Sequence, residues 1–133
     1  MAALAFTVAD SSQISAARLA LQRLARELEF DETRSGRLSI VVTEAVTNLV
    51  RHGGGGTLTA RALSRDGALG VEMLAIDAGP GIPDIARAMT DGFTTGGGLG
   101  LGLSGAKRLS DHFEIASKPG EGTRISILRW KPF

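Results

Sequence analysis

The chain has no cysteine among its 133 residues, so it can build neither a disulfide framework nor a thiolate metal site, and a reducing compartment is its natural setting. No apolar run comes near the roughly 18 residues that a spanning helix requires, and the first residues lack the charged and then apolar layout of a signal peptide. The expected location is cytoplasmic, with no membrane partner. An excess of either charge is also missing. Fifteen Lys and Arg against 14 Asp and Glu leave a formal charge of +1, which gives no general pull toward nucleic acid. Nor is there length for two cores: residues 1–133 are expected to form one domain, burying about two thirds of its unfolded surface. No repeat, linker or low-complexity tail is evident.

Glycine, by contrast, is concentrated. Nine of the 18 glycines (79, 81, 92, 96, 97, 98, 100, 102 and 105) fall within one segment. Glycine in a regular element costs roughly 0.5–1 kcal/mol relative to alanine, and a cluster of this kind suits a backbone that must approach a ligand closely. A phosphate cradle is the reading it suggests, with a disordered loop as the alternative.

Around the glycines, hydrophobic periodicity predicts a strand at 5–8 and an amphipathic helix over 14–28, capped by Asp10 or Ser11. A second helix, capped by Asp31, is expected to run to about Arg51, with Leu38, Val41, Val42, Ala45, Val46 and Leu49 as its apolar stripe and Gly53 to Gly56 as its end. Strands at 57–63 and 69–76 flank Ser64-Arg-Asp-Gly67, which suits a tight hairpin. A short helix at 83–89, a further helix from about Leu103 to Asp111, and a hairpin of strands 113–117 and 123–128 complete the pattern. Paired strands without regular strand–helix alternation predict an α+β two-layer sandwich, a mixed and mostly antiparallel sheet covered by helices on one face.

Several side chains on this frame could do chemistry. Glu44 and Asn48 lie four apart, one turn from each other on the same helical face and off the apolar stripe. A carboxylate and a carboxamide so placed could orient a hydroxyl and offer an oxygen to Mg²⁺; a solvated surface pair is the alternative. His52, one turn further, suits a partner for the last helical carbonyls. Asp77 ends a hydrophobic strand and faces a loop, where it could accept from an exocyclic amine such as that of adenine or organise an Asx-turn. The run from Gly96 to Gly105 offers main-chain N–H groups and then a helix start, which favour anions. Lys107 could reach a phosphate or lie in solvent. Gly100, Gly102 and Gly105 match G-x-G-x-x-G, but no strand precedes them as a dinucleotide fold requires. A Walker A loop fails because Ala106 stands where lysine should.

Taken in order, Thr43-Glu44-Ala-Val-Thr-Asn48, Asp77-Ala-Gly79-Pro-Gly81, Gly98-Leu-Gly-Leu-Gly102 and Gly120-Glu-Gly122-Thr123 resemble the N, G1 and G2 boxes and closing motif of the GHKL ATPase superfamily. The resemblance spans about 14–127. Within the superfamily, the segment from Asp91 to Asp111 is similar to the anti-sigma-factor type serine/threonine kinases, in particular the RsbT-like switch kinases. The resemblance implies the Bergerat sandwich, with ATP and Mg²⁺ as cofactors. It makes Glu44 the catalytic base, Asn48 the Mg²⁺ ligand and Asp77 the adenine-selecting carboxylate. Gly79 and Gly81 would shape the base pocket, and Thr123 would help through a water. Gly96, Gly97, Gly98, Leu99, Gly100, Leu101, Gly102 and Leu103 would wrap the phosphates under a lid from Pro83 to Gly97.

The function so implied is phosphorylation of a serine or threonine on a STAS-domain antagonist or stressosome scaffold. The rival is a nucleotide-dependent binding switch that docks on a PP2C-type phosphatase or a sigma factor, and a homodimer is left open. A third reading is an orphan ATPase or histidine-kinase catalytic module. The chain shows no phosphoacceptor-histidine helix ahead of the site, which argues against a complete sensor kinase, and no transducer domain of the gyrase, chaperone or mismatch-repair type. Exposed Arg18, Arg23 and Arg26 on the first helix could meet a partner or simply be solvated.

Overall fold

The computed structural model describes residues 3–51, 54–81, 89 and 102–130. Its elements in chain order are β1 (Ala3–Val8), α1 (Ser12–Glu27), α2 (Glu32–Arg51), β2 (Gly56–Arg65), β3 (Ala68–Asp77), α3 (Gly102–Arg108), β4 (His112–Lys118) and β5 (Gly122–Trp130).

Short polar residues begin each long helix. The Asp10 carboxylate accepts from the Ser12 N–H at 2.9 Å and from the Ser12 hydroxyl, and Gln13 reaches back to the main-chain N–H groups of Ala9 and Asp10. These bonds satisfy donors that the first turn leaves unpaired. They also hold the Asp10 carboxyl below its ordinary value, first through the Ser12 hydroxyl. At α2, Asp31 accepts from the Arg34 N–H at 2.8 Å and pairs with the Arg34 guanidinium. Between the helices the chain turns sharply. Glu29 takes a left-handed φ of 62°, the Phe30 N–H donates to Ala25 O at 2.9 Å, and the Phe30 ring is buried. This is the Schellman closure, and it directs α2 back along α1.

The five strands are ordered β1-β2-β3-β5-β4, and all four pairings are antiparallel. The mixed sheet expected from the element order is therefore not seen among the described residues. β3 and β4 do run the same way, since each is antiparallel to β5, which lies between them. The β2–β3 hairpin closes through Asp66 and Gly67, both with positive φ, the two-residue geometry whose twist matches the strands.

Alternate strand residues face the helices. Leu58, Ala60 and Ala62 of β2, Val71, Met73 and Ala75 of β3, and Ile125 and Ile127 of β5 are all buried. They pack beneath the predicted stripe of α2, whose six residues are at most 1% exposed. Each Val or Leu so buried contributes roughly 1.5–3 kcal/mol of hydrophobic stabilisation. Helix α2 is central, contacting α1, α3, β2 and β3, and Gln22 of α1 donates to the Ser39 hydroxyl at 2.9 Å. Helix α3 is shorter than expected. It stops at Arg108 because the Asp111 N–H is already committed to Leu128 O at 2.8 Å and the Asp111 carboxylate accepts from the Trp130 N–H at 2.6 Å. The helix expected at 83–89 and His52 lie outside the described residues, except Met89, which packs against the core. No helix among the described residues is long and apolar enough to cross a membrane.

Candidate functional site

The inward face of the sheet changes character at one end. Along β3 the inward positions are Val71, Met73, Ala75 and then Asp77; along β5 they are Ile127, Ile125 and then Thr123. Register places Thr123 opposite both Asp77 and Ser117, so three polar side chains lie in a row across β3, β5 and β4. Cross-strand neighbours of this kind have Cβ atoms about 5 Å apart. Asp77 is 6% exposed and Thr123 5%, and the hydroxyls of Ser117 and Thr123 are 2.9 Å apart.

Asp77 forms the expected Asx-turn with one carboxylate oxygen and leaves the other unbonded. Its Oδ1 accepts the Gly79 N–H at 2.9 Å, the Asx-turn that bends the chain out of β3. Its Oδ2 is buried and has no hydrogen-bond partner. A carboxylate oxygen is an acceptor only, and leaving one unmatched in the interior costs on the order of 1–3 kcal/mol.

Two glycines let the loop after Asp77 lie against the β4–β5 hairpin. A Cβ at Gly122 would sit 2.1 Å from Asp77 O, and one at Gly81 would sit 2.4 Å from Lys118 O. Both residues also have positive φ, 94° and 80°. No other residue type fits either position without shifting backbone. The Gly120 N–H then donates to Pro80 O at 2.9 Å, fastening hairpin to loop. A depression of about 230 Å³ near this hairpin is lined by Ile76, Ala116 and Arg124 as well as Asp77 and Thr123. It draws on both faces of the sheet and is smaller than the roughly 300 Å³ of ordinary ligand pockets, so it is not in itself a nucleotide site.

Helix α2 supplies the second group. Glu44, Thr47 and Asn48 occupy one face at three and four residue spacing and are 4%, 6% and 6% exposed. The solvated surface pair is thereby ruled out. The helix is enclosed from Val41 to Leu49, with α1 and α3 on its flanks. Asn48 Nδ2 and Thr47 Oγ1 are buried without partners, whereas Thr43 donates to Ser39 O at 2.8 Å. Lys107 is exposed.

Of the predicted site residues, the structure brings Asp77, Gly79, Gly81 and Thr123 together at one end of the sheet and places Glu44 and Asn48 on the helix above it. Gly102 and Leu103 form the first turn of α3. Gly96, Gly97, Gly98, Leu99, Gly100 and Leu101, together with the lid segment, lie outside the described residues. Two residues escaped the sequence reading. Thr47 carries no signal except its position beside Asn48. Ser117 could have been found by counting back from the hairpin, since a three-residue loop puts it opposite Thr123.

The unmatched atoms test the fit of a cofactor. Asp77 Oδ2 is a buried acceptor of the kind an adenine amine would fill, so adenine suits this end of the sheet. No group of three or more His, Asp or Glu that could cage a metal exists among the described residues. A divalent ion would therefore have to bring most of its oxygens from phosphate and water, as Mg²⁺ commonly does.

Comparison with known proteins agrees with this arrangement. The model of the histidine kinase-like ATPase domain matches residues 7–129. Serine/threonine-protein kinase RsbT of Bacillus subtilis is 41% identical over 117 residues, 88% of this chain and 88% of that protein. Anti-sigma F factor of Clostridium acetobutylicum is 32% identical over 128 residues, 92% of this chain and 88% of that protein. Among solved structures, the RsbU and RsbW domains of a Mycobacterium tuberculosis protein superpose with a TM-score of 0.67 at 21% identity, over 99% of this chain and 34% of that one. The SiaB–SiaC complex of Pseudomonas aeruginosa gives 0.58 at 16% identity, over 96% and 89%. The two structural likenesses carry the fold alone. By the family match and the RsbT and anti-sigma F relatives, the chain belongs to the histidine kinase-like ATPase domain family of the GHKL superfamily.

Proposed function

We propose that this chain is an ATP-dependent serine/threonine protein kinase of a bacterial partner-switching pathway. The observation that supports the reading is the buried, partnerless Asp77 Oδ2 beside Thr123, an acceptor of the kind an adenine amine would fill, in a chain related to RsbT. Its protein substrate would be a STAS-domain antagonist or stressosome scaffold.

Phosphoryl transfer leaves the protein mainly positioning and charge stabilisation to perform. Asp77 would hold the base and Gly79 and Gly81 the floor beneath it. Glu44 would accept a hydrogen bond from the attacking hydroxyl and take its proton as the new oxygen–phosphorus bond forms and the bond from the γ-phosphorus to the bridging oxygen of ADP breaks, ADP carrying away that electron pair. Asn48 would supply one oxygen to Mg²⁺, and that ion, when bound with the nucleotide, neutralises phosphate charge. The main chain from Gly96 to Leu103 would donate to the phosphate oxygens.

The test is transfer of the γ-phosphate to a purified STAS-domain partner. Glu44→Ala is expected to lower transfer by about 10²–10⁴-fold while ATP binding persists; undiminished transfer would remove Glu44 from the mechanism. The anti-sigma F relatives favour a second output, docking on a sigma factor or a PP2C-type phosphatase under nucleotide control. If docking alone is the function, Asp77→Asn abolishes partner regulation and Glu44→Ala leaves it intact.

A further inference from the structure

The adenine reading of the pocket leaves one well-held hydroxyl without a role. Ser117 is half-buried on β4, opposite Thr123, which is itself opposite Asp77. The loop after Asp77 closes over it so tightly that a Cβ on Gly81 would stand 3.2 Å from the Ser117 hydroxyl. That hydroxyl has one proton, and the acceptors in its reach include Gly122 O at 3.1 Å and Thr123 Oγ1 at 2.9 Å. Where the proton goes decides what Thr123 shows to the pocket. If it goes to Gly122 O or to any group other than Thr123, Thr123 must donate back to Ser117 and presents only lone pairs. If it goes to Thr123, the Thr123 proton is released to a ligand or a bridging water. Asp77 Oδ2 next to it is fixed as an acceptor.

We propose that Ser117 is a positioning residue for purine selection. By donating to Thr123 it makes the pocket offer an acceptor at Asp77 and a donor at Thr123, the complement of the amine and the N1 acceptor on the edge of adenine. The inference rests on the ATP reading above and adds the residue that sets the base preference. Hypoxanthine is the natural probe. It keeps the ring size and the triphosphate but carries N1–H and a 6-oxo group, reversing donor and acceptor.

The experiment measures the affinities of ATP and ITP for the purified chain by calorimetry. The wild type is expected to prefer ATP. In Ser117→Ala, where the Thr123 hydroxyl can donate or accept, the affinity for ATP is expected to stay within about twofold while that for ITP rises about five- to tenfold, the size of one neutral hydrogen bond, so the preference shrinks by that factor. Ser117→Thr, which keeps a hydroxyl, is expected to restore it. With Thr123→Val already in place, Ser117→Ala is expected to change the ratio no further. Equal weakening of both nucleotides, or an unchanged ratio in Ser117→Ala, would overturn the assignment and leave a structural serine. Should Ser117→Ala unfold, Ser117→Cys keeps the volume with a poor donor and must show the same lost preference, or the assignment fails. A wild type that binds ATP and ITP alike overturns this inference but not the pocket; a wild type that binds neither removes the pocket reading as well.

Discussion

Val71, Met73 and Ala75 differ from Asp77 in chemistry but not in burial: all four are successive inward positions of β3, and none is more than 6% exposed. At the first end of the strand every inward atom meets hydrocarbon. At the other, within the next two residues, the same face presents a carboxylate oxygen with no partner, and α2 repeats the contrast with its filled stripe of Val and Leu and its unmatched Thr47 and Asn48. Interiors seldom leave polar atoms unpaired. The apolar end is filled, whereas the polar end keeps Thr47 Oγ1, Asn48 Nδ2 and Asp77 Oδ2 buried without partners.

Substitutions that exchange the two behaviours would test this contrast. The largest effect is expected from Met73→Ala at the apolar end, where a cavity should cost about 2–5 kcal/mol. Urea unfolding should register the loss, and ATP affinity of the protein that remains folded should be unchanged. At the polar end, Asp77→Asn should do the reverse. ATP binding should weaken by about 1.5–3 kcal/mol, the worth of a hydrogen bond to a charged group, with the unfolding midpoint of the nucleotide-free protein no lower than the wild type's. A parallel fall in stability would mean that Asp77 is a structural residue.

Thr47→Val is a finer probe. Replacing an unmatched hydroxyl by a methyl should leave stability unchanged or raise it by up to about 1 kcal/mol, and a clear loss in thermal melts would reveal a partner for that oxygen. The smallest effect belongs to the caps, which lie outside both ends. The Arg34 N–H at Asp31 holds that carboxyl below its ordinary value of 3.8. Its stabilising effect is therefore present above that value and is lost as pH falls through the lowered one. Melting the wild type and Asp31→Asn at pH 5 and pH 3 should show the gap between them narrowing, since asparagine still accepts the bond but does not titrate.

Periodicity made much of this legible. The α2 stripe, both hairpins and the caps at Asp10 and Asp31 follow from spacing that local backbone geometry enforces. What it could not show was burial of the opposite helix face. Apolar periodicity reports the side of α2 that faces the sheet, and Glu44 reads as surface because nothing in its neighbours says that further chain will cover it. The strand order was hidden for a related reason: placing β5 between β3 and β4 is a long-range choice. Asp77 was legible as an acceptor, but its division into one bonded and one unmatched oxygen required coordinates. The roles proposed for Glu44, Asn48 and the phosphate-binding glycines rest on the resemblance rather than on geometry.

The position of β5 has a bearing on biosynthesis. This strand is made after β4, yet it fills the gap between β3 and β4 and sets Thr123 beside Asp77. A nascent chain stalled before Gly122 would carry β3 with an open edge and Asp77 without its neighbour. The pairing of Asp77 with Thr123 is therefore deferred until β5 has been made, and truncations that remove β5 should yield insoluble protein rather than a folded chain of lower activity.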